Sequence, residues 1–193
     1  MGWISGNRYL SLNETDNNAA LIIPIFRTYG WSDPAICAMI GNMRAESGCN
    51  PGVWESLQPY QGGYGLVQWT PYTNYSNWYG SGWQDNGPGE CSRIQYEAYD
   101  MSTTDPNYPW RRNETLGIDP PITFQDFTTS TLPLHDLTNY WLWFYERPYD
   151  PGPTEQAKRQ SYADRYWNMF FVGPPAWLIC RIAQINYNLL NRR

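Results

Sequence analysis

Ile36, Met39, Ile40 and Met43 repeat at i, i+3, i+4 and i+7, the apolar stripe of a helix that faces a core. Ser32-Asp33-Pro34 opens that helix, because Ser or Asp caps a first turn and Pro fits inside one, and Gly48 closes it. Upstream, Asp16 to Thr28 predicts another helix, capped at Thr15 or Asp16 and kinked at Pro24. The period then changes. VWESL and YGLVQWT are short β-prone pieces separated by the turn-rich PYQGG, which predicts an irregular hairpin within Pro51 to Thr70. Pro71 to Pro88 carries a loop signal, and helical patterns return at Glu90 to Tyr99 and Phe124 to Thr129. Pro133 to Tyr145 predicts a helix apolar nearly all round, which belongs in the middle of a fold, with Pro148 as its stop. Thr154 to Phe170 predicts a polar-faced helix, and Pro174-Pro175 breaks the chain before a final helix through Leu190.

These elements predict a mainly α fold of the α+β type, a helical domain with a small β-hairpin at its edge. The 193 residues suffice for one domain with a real core. Residues 1–173 are expected to form it, and 174–193 a C-terminal helix that docks on the domain or on a partner. A net charge of −5 without a Lys/Arg cluster excludes a partner held by phosphate neutralisation, so no nucleic acid is expected. Pro175 to Leu190 is broken by Arg181, Gln184, Asn186 and Asn188, and no membrane partner is expected either. The N-terminal MGWISGNRYLSLNET lacks a basic flank and an apolar run, so the chain is expected to start in a cytoplasm.

Cys37, Cys49, Cys91 and Cys180 are scattered, with no C-x-x-C pair and no His at metal-ligand spacing. No metal and no cofactor is expected. Cys37 and Cys49, near opposite ends of one helix, would be ~18 Å apart at the helical rise, too far to bridge. Aromatics make up 17% of the chain and outnumber charged residues at 16%, a composition suited to ring faces stacking on sugars and to hydroxyl and amide groups binding them.

Glu46 closes the second helix within NMRAES and projects about 70° from the centre of the apolar stripe. There it is partly desolvated and sits at the negative end of the helix dipole, two effects that disfavour a charged carboxylate. Glycosidic oxygen leaves readily only when protonated, so a carboxyl that keeps its proton is a candidate general acid. The GYGLVQWT segment, Gly63 to Thr70, follows closely.

The pairing of AICAMIGNMRAESGCNPGVW (Ala35 to Trp54) with GYGLVQWTPYTNY (Gly63 to Tyr75) and FYERP (Phe144 to Pro148) resembles the phage tail lysozymes, the lysozyme domains of podovirus tail-tip proteins. Gly65 to Gln68 also look like the Gly-Leu-Met-Gln segment of the goose-type lysozyme and transglycosylase group. The resemblance spans roughly Asp16 to Phe170. It implies a lysozyme-like helical fold with the hairpin bordering a substrate cleft, and cleavage of the bond between N-acetylmuramic acid (MurNAc) and N-acetylglucosamine (GlcNAc). It makes Glu46 the catalytic residue, with Ser47, Tyr64, Gly65, Gln68, Trp69 and Tyr145 at the substrate. Tyr64 and Trp69 would line the cleft, Gln68 would bond sugar or the catalytic carboxyl, and Tyr145 would approach Glu46. The implied partners are peptidoglycan glycan strands and other phage tail proteins, and the implied location is the virion tail, acting on the host wall.

A second carboxylate is not selected by spacing: Glu55, Asp85, Glu90, Glu97 and Asp100 all qualify by position. Hydrolysis and anhydro-forming transglycosylation both stay open. Two other classes compete with the glycosidase: a thiol peptidase using Cys37 with His135, the chain's one histidine, and a non-catalytic module that binds wall glycan or tail protein.

Overall fold

A computed structural model describes residues 2–149 and 151–172; the expected final helix and Cys180 lie outside them. Among the described residues seven α-helices run in chain order: α1 Leu12–Thr28, α2 Asp33–Ser47, α3 Thr73–Tyr79, α4 Gly87–Tyr99, α5 Phe124–Thr129, α6 Leu134–Tyr140 and α7 Pro153–Phe170. A π-helical segment, Trp141–Glu146, continues α6. Mainly helical architecture is as the sequence predicts. None of the described helices is long and apolar enough to cross a membrane.

Helix α2 is the axis of the fold, packed by α7, α6, α1 and α5. Every residue from Ala35 to Met43 is buried, so the predicted stripe widens into a helix surrounded on all sides. Ser32 caps it through the Ala35 N–H, and Gly48 ends it at φ 64°, a left-handed conformation that favours glycine. The α2–α7 crossing is closest at Gly41, where a Cβ would stand 2.8 Å from the Ala163 nitrogen and 2.9 Å from the Arg159 carbonyl oxygen.

Several boundaries differ from expectation. Helix α1 starts at Leu12, before the predicted Asp16, because Ser11 and Glu14 form a reciprocal capping box. Pro24 lies inside it on the exposed side. Within the predicted loop, α3 forms because Tyr75 buries completely and stacks on Trp69 at 4.9 Å. Helix α4 begins at Gly87, capped by the Asn86 side chain.

The predicted hairpin is reduced to two isolated antiparallel bridges, Trp54 to Tyr64 and Tyr64 to Trp69. Rings hold this region in place of a ladder: Trp54, Tyr64, Tyr72 and Trp83 pack with centroids 4.7 to 5.8 Å apart. A second cluster gathers Trp31, Trp110, Phe124, Phe127 and Trp141 beneath α6. The aromatic excess therefore builds core more than it displays sugar-stacking surface. The N-terminal strap is clamped by asparagines, Asn18 to the backbone of Ile4 and Asn50 to the carbonyls of Gly6 and Arg8.

Gly41→Ala is expected to destabilise the protein by about 2 kcal/mol or more, since the added methyl meets backbone that cannot step aside. Chemical denaturation would check this, with Ala38→Gly, which takes up no added space in the same helix, as a comparison for helix propensity.

Candidate active site

Glu46 reaches the last turn of α2 with its side chain 23% exposed, on the wall of a cleft of about 460 Å³. The cleft is also lined by Tyr9, Trp54, Glu55, Val67, Gln68 and Glu146. A second cavity of about 240 Å³ shares Val67, Gln68, Thr70 and Glu146 with the first, and adds Trp69, Asn107, Arg111, Tyr145 and Arg147. The two form one polar trough.

Arg159 of α7 places Nη2 2.5 Å from Glu46 Oε1. It is nearly buried, and its Nη1 donates to the Asn42 side-chain oxygen at 3.2 Å. Asn42 in turn donates to the Thr138 carbonyl of α6 at 3.1 Å. One polar chain thus runs from α6 through α2 to α7 and ends on Glu46. The close crossing at Gly41 lets a guanidinium reach that far.

Glu146, the last residue of the π-helical segment, carries the perturbed carboxyl of the cleft. Burial pushes its pKa well above the carboxylate range, and the charge of Glu46 adds to the effect. Arg159 and a 2.7 Å bond from Trp141 Nε1 oppose it only in part. Arg159 is bonded to Glu46, while burial pushes Glu146 toward its protonated form.

Glu146 lies inside the FYERP motif, yet it is missing from the sequence candidates for a second carboxylate. Its placement depends on wide-turn geometry: the Arg147 N–H reaches back five residues to the Leu142 carbonyl, and Arg147 turns left-handed at φ 48°. Pro148 disfavours helix at Arg147 and marks this stop in the sequence, but the π turn itself leaves no local signal.

Among the five sequence candidates, Glu55 alone lines the cleft with Glu46. It is exposed, and its carboxylate accepts the Gly63 N–H at 2.8 Å. Glu90 is fully buried behind the Gly65 turn, bonded to the Leu66 N–H at 2.6 Å, and burial raises its pKa well above the usual value. Glu97 accepts from Trp69 Nε1, Arg93 Nε and Tyr145 Oη at 2.6 to 2.9 Å. Burial raises its pKa as well. Asp85 bonds Ser5, and Asp100 caps the exposed end of α4.

The other implied site residues divide by role. Ser47 Oγ donates to the Leu66 carbonyl at 2.8 Å, tying α2 to the Gly-Leu-Val-Gln turn. Gly65, at φ 79°, has no room for a Cβ, which would meet Glu90 at 2.5 Å. Gln68 borders both halves of the trough, its amide donating to the Gly65 and Val53 carbonyls. Trp69 and Tyr145 border the second half, both bonded to Glu97, so the Tyr145 hydroxyl is turned to Glu97 and not to Glu46. Tyr64 is a correction: 1% exposed, it sits within the ring cluster and accepts the Asp85 N–H, lining neither half. Its membership of both backbone bridges commits its ring to the core. Tyr9, 72% exposed at the cleft, offers the open aromatic face that sequence reasoning assigned to Tyr64.

Cys37, Cys49 and Cys91 are free and buried. Burial pushes the Cys37 thiol far up, and His135 pairs with Asp164 on the exposed side of α6, so the peptidase pairing does not form. No cluster of potential metal ligands occurs among the described residues.

Comparison with known proteins agrees with this architecture. The pattern that defines the phage tail lysozymes matches residues 17–170. Morphogenesis protein 1 of Bacillus phage B103 is 36% identical over 191 residues, 97% of this chain and 48% of the relative, so the chain spans about half the length of the curated relative it matches. With the matched region running from within α1 to the end of α7 and including both Glu46 and Glu146, the chain belongs to the phage tail lysozyme family.

Proposed function

We propose that the protein is a peptidoglycan glycosidase, cleaving the β-1,4 bond between MurNAc and GlcNAc, and that it acts from a phage tail on the bacterial wall. The observation that carries this reading is the Glu46–Glu146 pair, two carboxyls lining one cleft, with burial pushing Glu146 toward its protonated form. Glycoside cleavage needs a proton for the leaving oxygen and a negative charge to face the developing oxocarbenium ion. The pair supplies both. Glu46 is the member that contacts the glycosidic oxygen, because Glu146 is anchored by Trp141; the proton passes to the oxygen through Glu46 as the bond breaks. Glu55, on the hairpin side, orients the incoming water, which favours hydrolysis over anhydro-ring formation. Tyr9 stacks on a sugar ring. The virion setting draws support from the family and from the relative's name, a morphogenesis protein.

Mass spectrometry of fragments released from purified peptidoglycan is the direct test. Reducing MurNAc ends from the unmutated protein, and a loss of about 10²-fold or more with Glu46→Gln, are expected. Terminal 1,6-anhydro sugars would instead identify a transglycosylase, equal release by both proteins would sink the role of Glu46, and no release from several wall types would favour a binding module.

Glu146→Gln is expected to lower kcat by a similar factor while leaving wall binding intact. The double variant should be hardly worse than either single one, because the two groups act as a unit.

The same pair sets a pH dependence. The folded pKa of Glu146 lies above its unfolded value, so its contribution to stability is complete below about pH 4.3 and is lost as pH rises through the folded pKa. Thermal melts across that range should fall less steeply for Glu146→Gln, and activity should decline over the same interval as the pair gives up its proton.

A further inference from the structure

The far end of the trough is positive. Arg111 and Arg147 both line the 240 Å³ cavity that shares Gln68 and Glu146 with the Glu46 cleft. Both also line a further cavity of about 510 Å³. Arg147 is held in place, donating to the Pro109 and Phe144 carbonyls, and Arg111 donates to the Pro106 carbonyl at 2.9 Å. Among the described residues neither guanidinium has a carboxylate within 4.0 Å, whereas their neighbour Arg112 is paired with Asp119 at 2.7 Å and Glu114 at 3.4 Å. Acids outnumber bases in this chain, 18 to 13, so two adjacent cations without an ion pair are not for want of acids. Their proximity is unfavourable by itself: burial first, then the charge of Arg111, brings the Arg147 pKa down to about 10.

We propose that Arg111 and Arg147 form an oxyanion subsite that binds an anionic group carried by the glycan strand, a carboxylate or a phosphodiester. This inference rests on the glycosidase reading, since it places the group along the same strand whose bond lies at Glu46. Guanidinium forks suit both oxyanions, which offer two acceptor oxygens in one plane. In wall glycan the carboxylates come from the peptide on the muramyl lactyl ether, and the phosphodiesters from attached anionic polymers. The subsite separates decorated wall strands from neutral GlcNAc polymers and gives the strand a direction in the trough.

Arg111 is the residue to change, because it is exposed while Arg147 supports two carbonyls. Binding is read without turnover by co-sedimenting Glu46→Gln protein, with and without Arg111→Gln, on purified walls. Three wall forms are used: untreated, stripped of phosphodiester polymers with hydrofluoric acid, and stripped with the peptide carboxylates then amidated. Arg111→Gln is expected to weaken binding to untreated walls on the order of tenfold, with Arg111→Lys recovering part of the loss. A difference that survives stripping and disappears on amidation assigns a peptide carboxylate; one that disappears on stripping assigns a phosphodiester. Equal binding by both proteins at equal thermal stability, or a difference that outlasts both treatments, would overturn the subsite. A protein that bound walls in this way but never cleaved them would overturn the glycosidase reading alone.

Discussion

The close crossing of α2 and α7 at Gly41 is the constraint on which the site depends. Only a residue without Cβ lets the Ala163 backbone come so near, and only at that separation does Arg159, nearly buried, reach both Asn42 and Glu46. A buried cation of this kind is expensive unless its donors are occupied. Asn42 and Glu46 occupy two of them, and Glu155 lies 3.6 Å from Nε. Packing and electrostatics are therefore one arrangement: the crossing positions the cation, and the cation holds the Glu46 carboxyl at the cleft wall.

Two buried glutamates and the half-buried Glu146 sit around the trough, and their hydrogen bonds separate their roles. Glu97 receives three donors and joins Trp69, Arg93 and Tyr145 into one unit. Glu90 receives one backbone N–H and props the Gly65 turn from behind. Glu146 receives one indole N–H, but it alone of the three lines the cleft that holds Glu46. All three are pushed toward the protonated form by burial. Place in the cleft, not acidity, distinguishes Glu146 from the other two. The trough runs from Glu46 and Glu146 to Arg111 and Arg147, so its two ends carry groups of opposite charge type.

Regular hydrogen-bonded sheet contributes almost nothing to the hairpin side, which makes its precision depend on other contacts. The Gly-Leu-Val-Gln turn is fastened to α2 by Ser47 and to α4 by Glu90, and packed from below by stacked rings. Such a wall tolerates irregular backbone, including Gln68 at φ 51°, because side chains supply the partners that a ladder would otherwise provide.

The sequence by itself determined α2 and both its ends, because the 3.6-residue period, Ser32, Pro34 and Gly48 act locally along the chain. It also located Glu46 at the end of α2, since a helix position fixes the direction of a side chain. It missed the start of α1, although Ser11 and Glu14 form a recognisable capping box, and it missed α3, whose seven residues need the burial of Tyr75 to be helical. Glu146, Arg159, Tyr9 and the core position of Tyr64 were decided only by tertiary structure. Arg159 meets Glu46 across 113 residues of chain, and Tyr9 arrives by a strap clamped by asparagines. Periodicity records which face of an element is apolar; it holds no record of which polar groups from distant elements will share one cleft, and it is that sharing which sets charge and protonation.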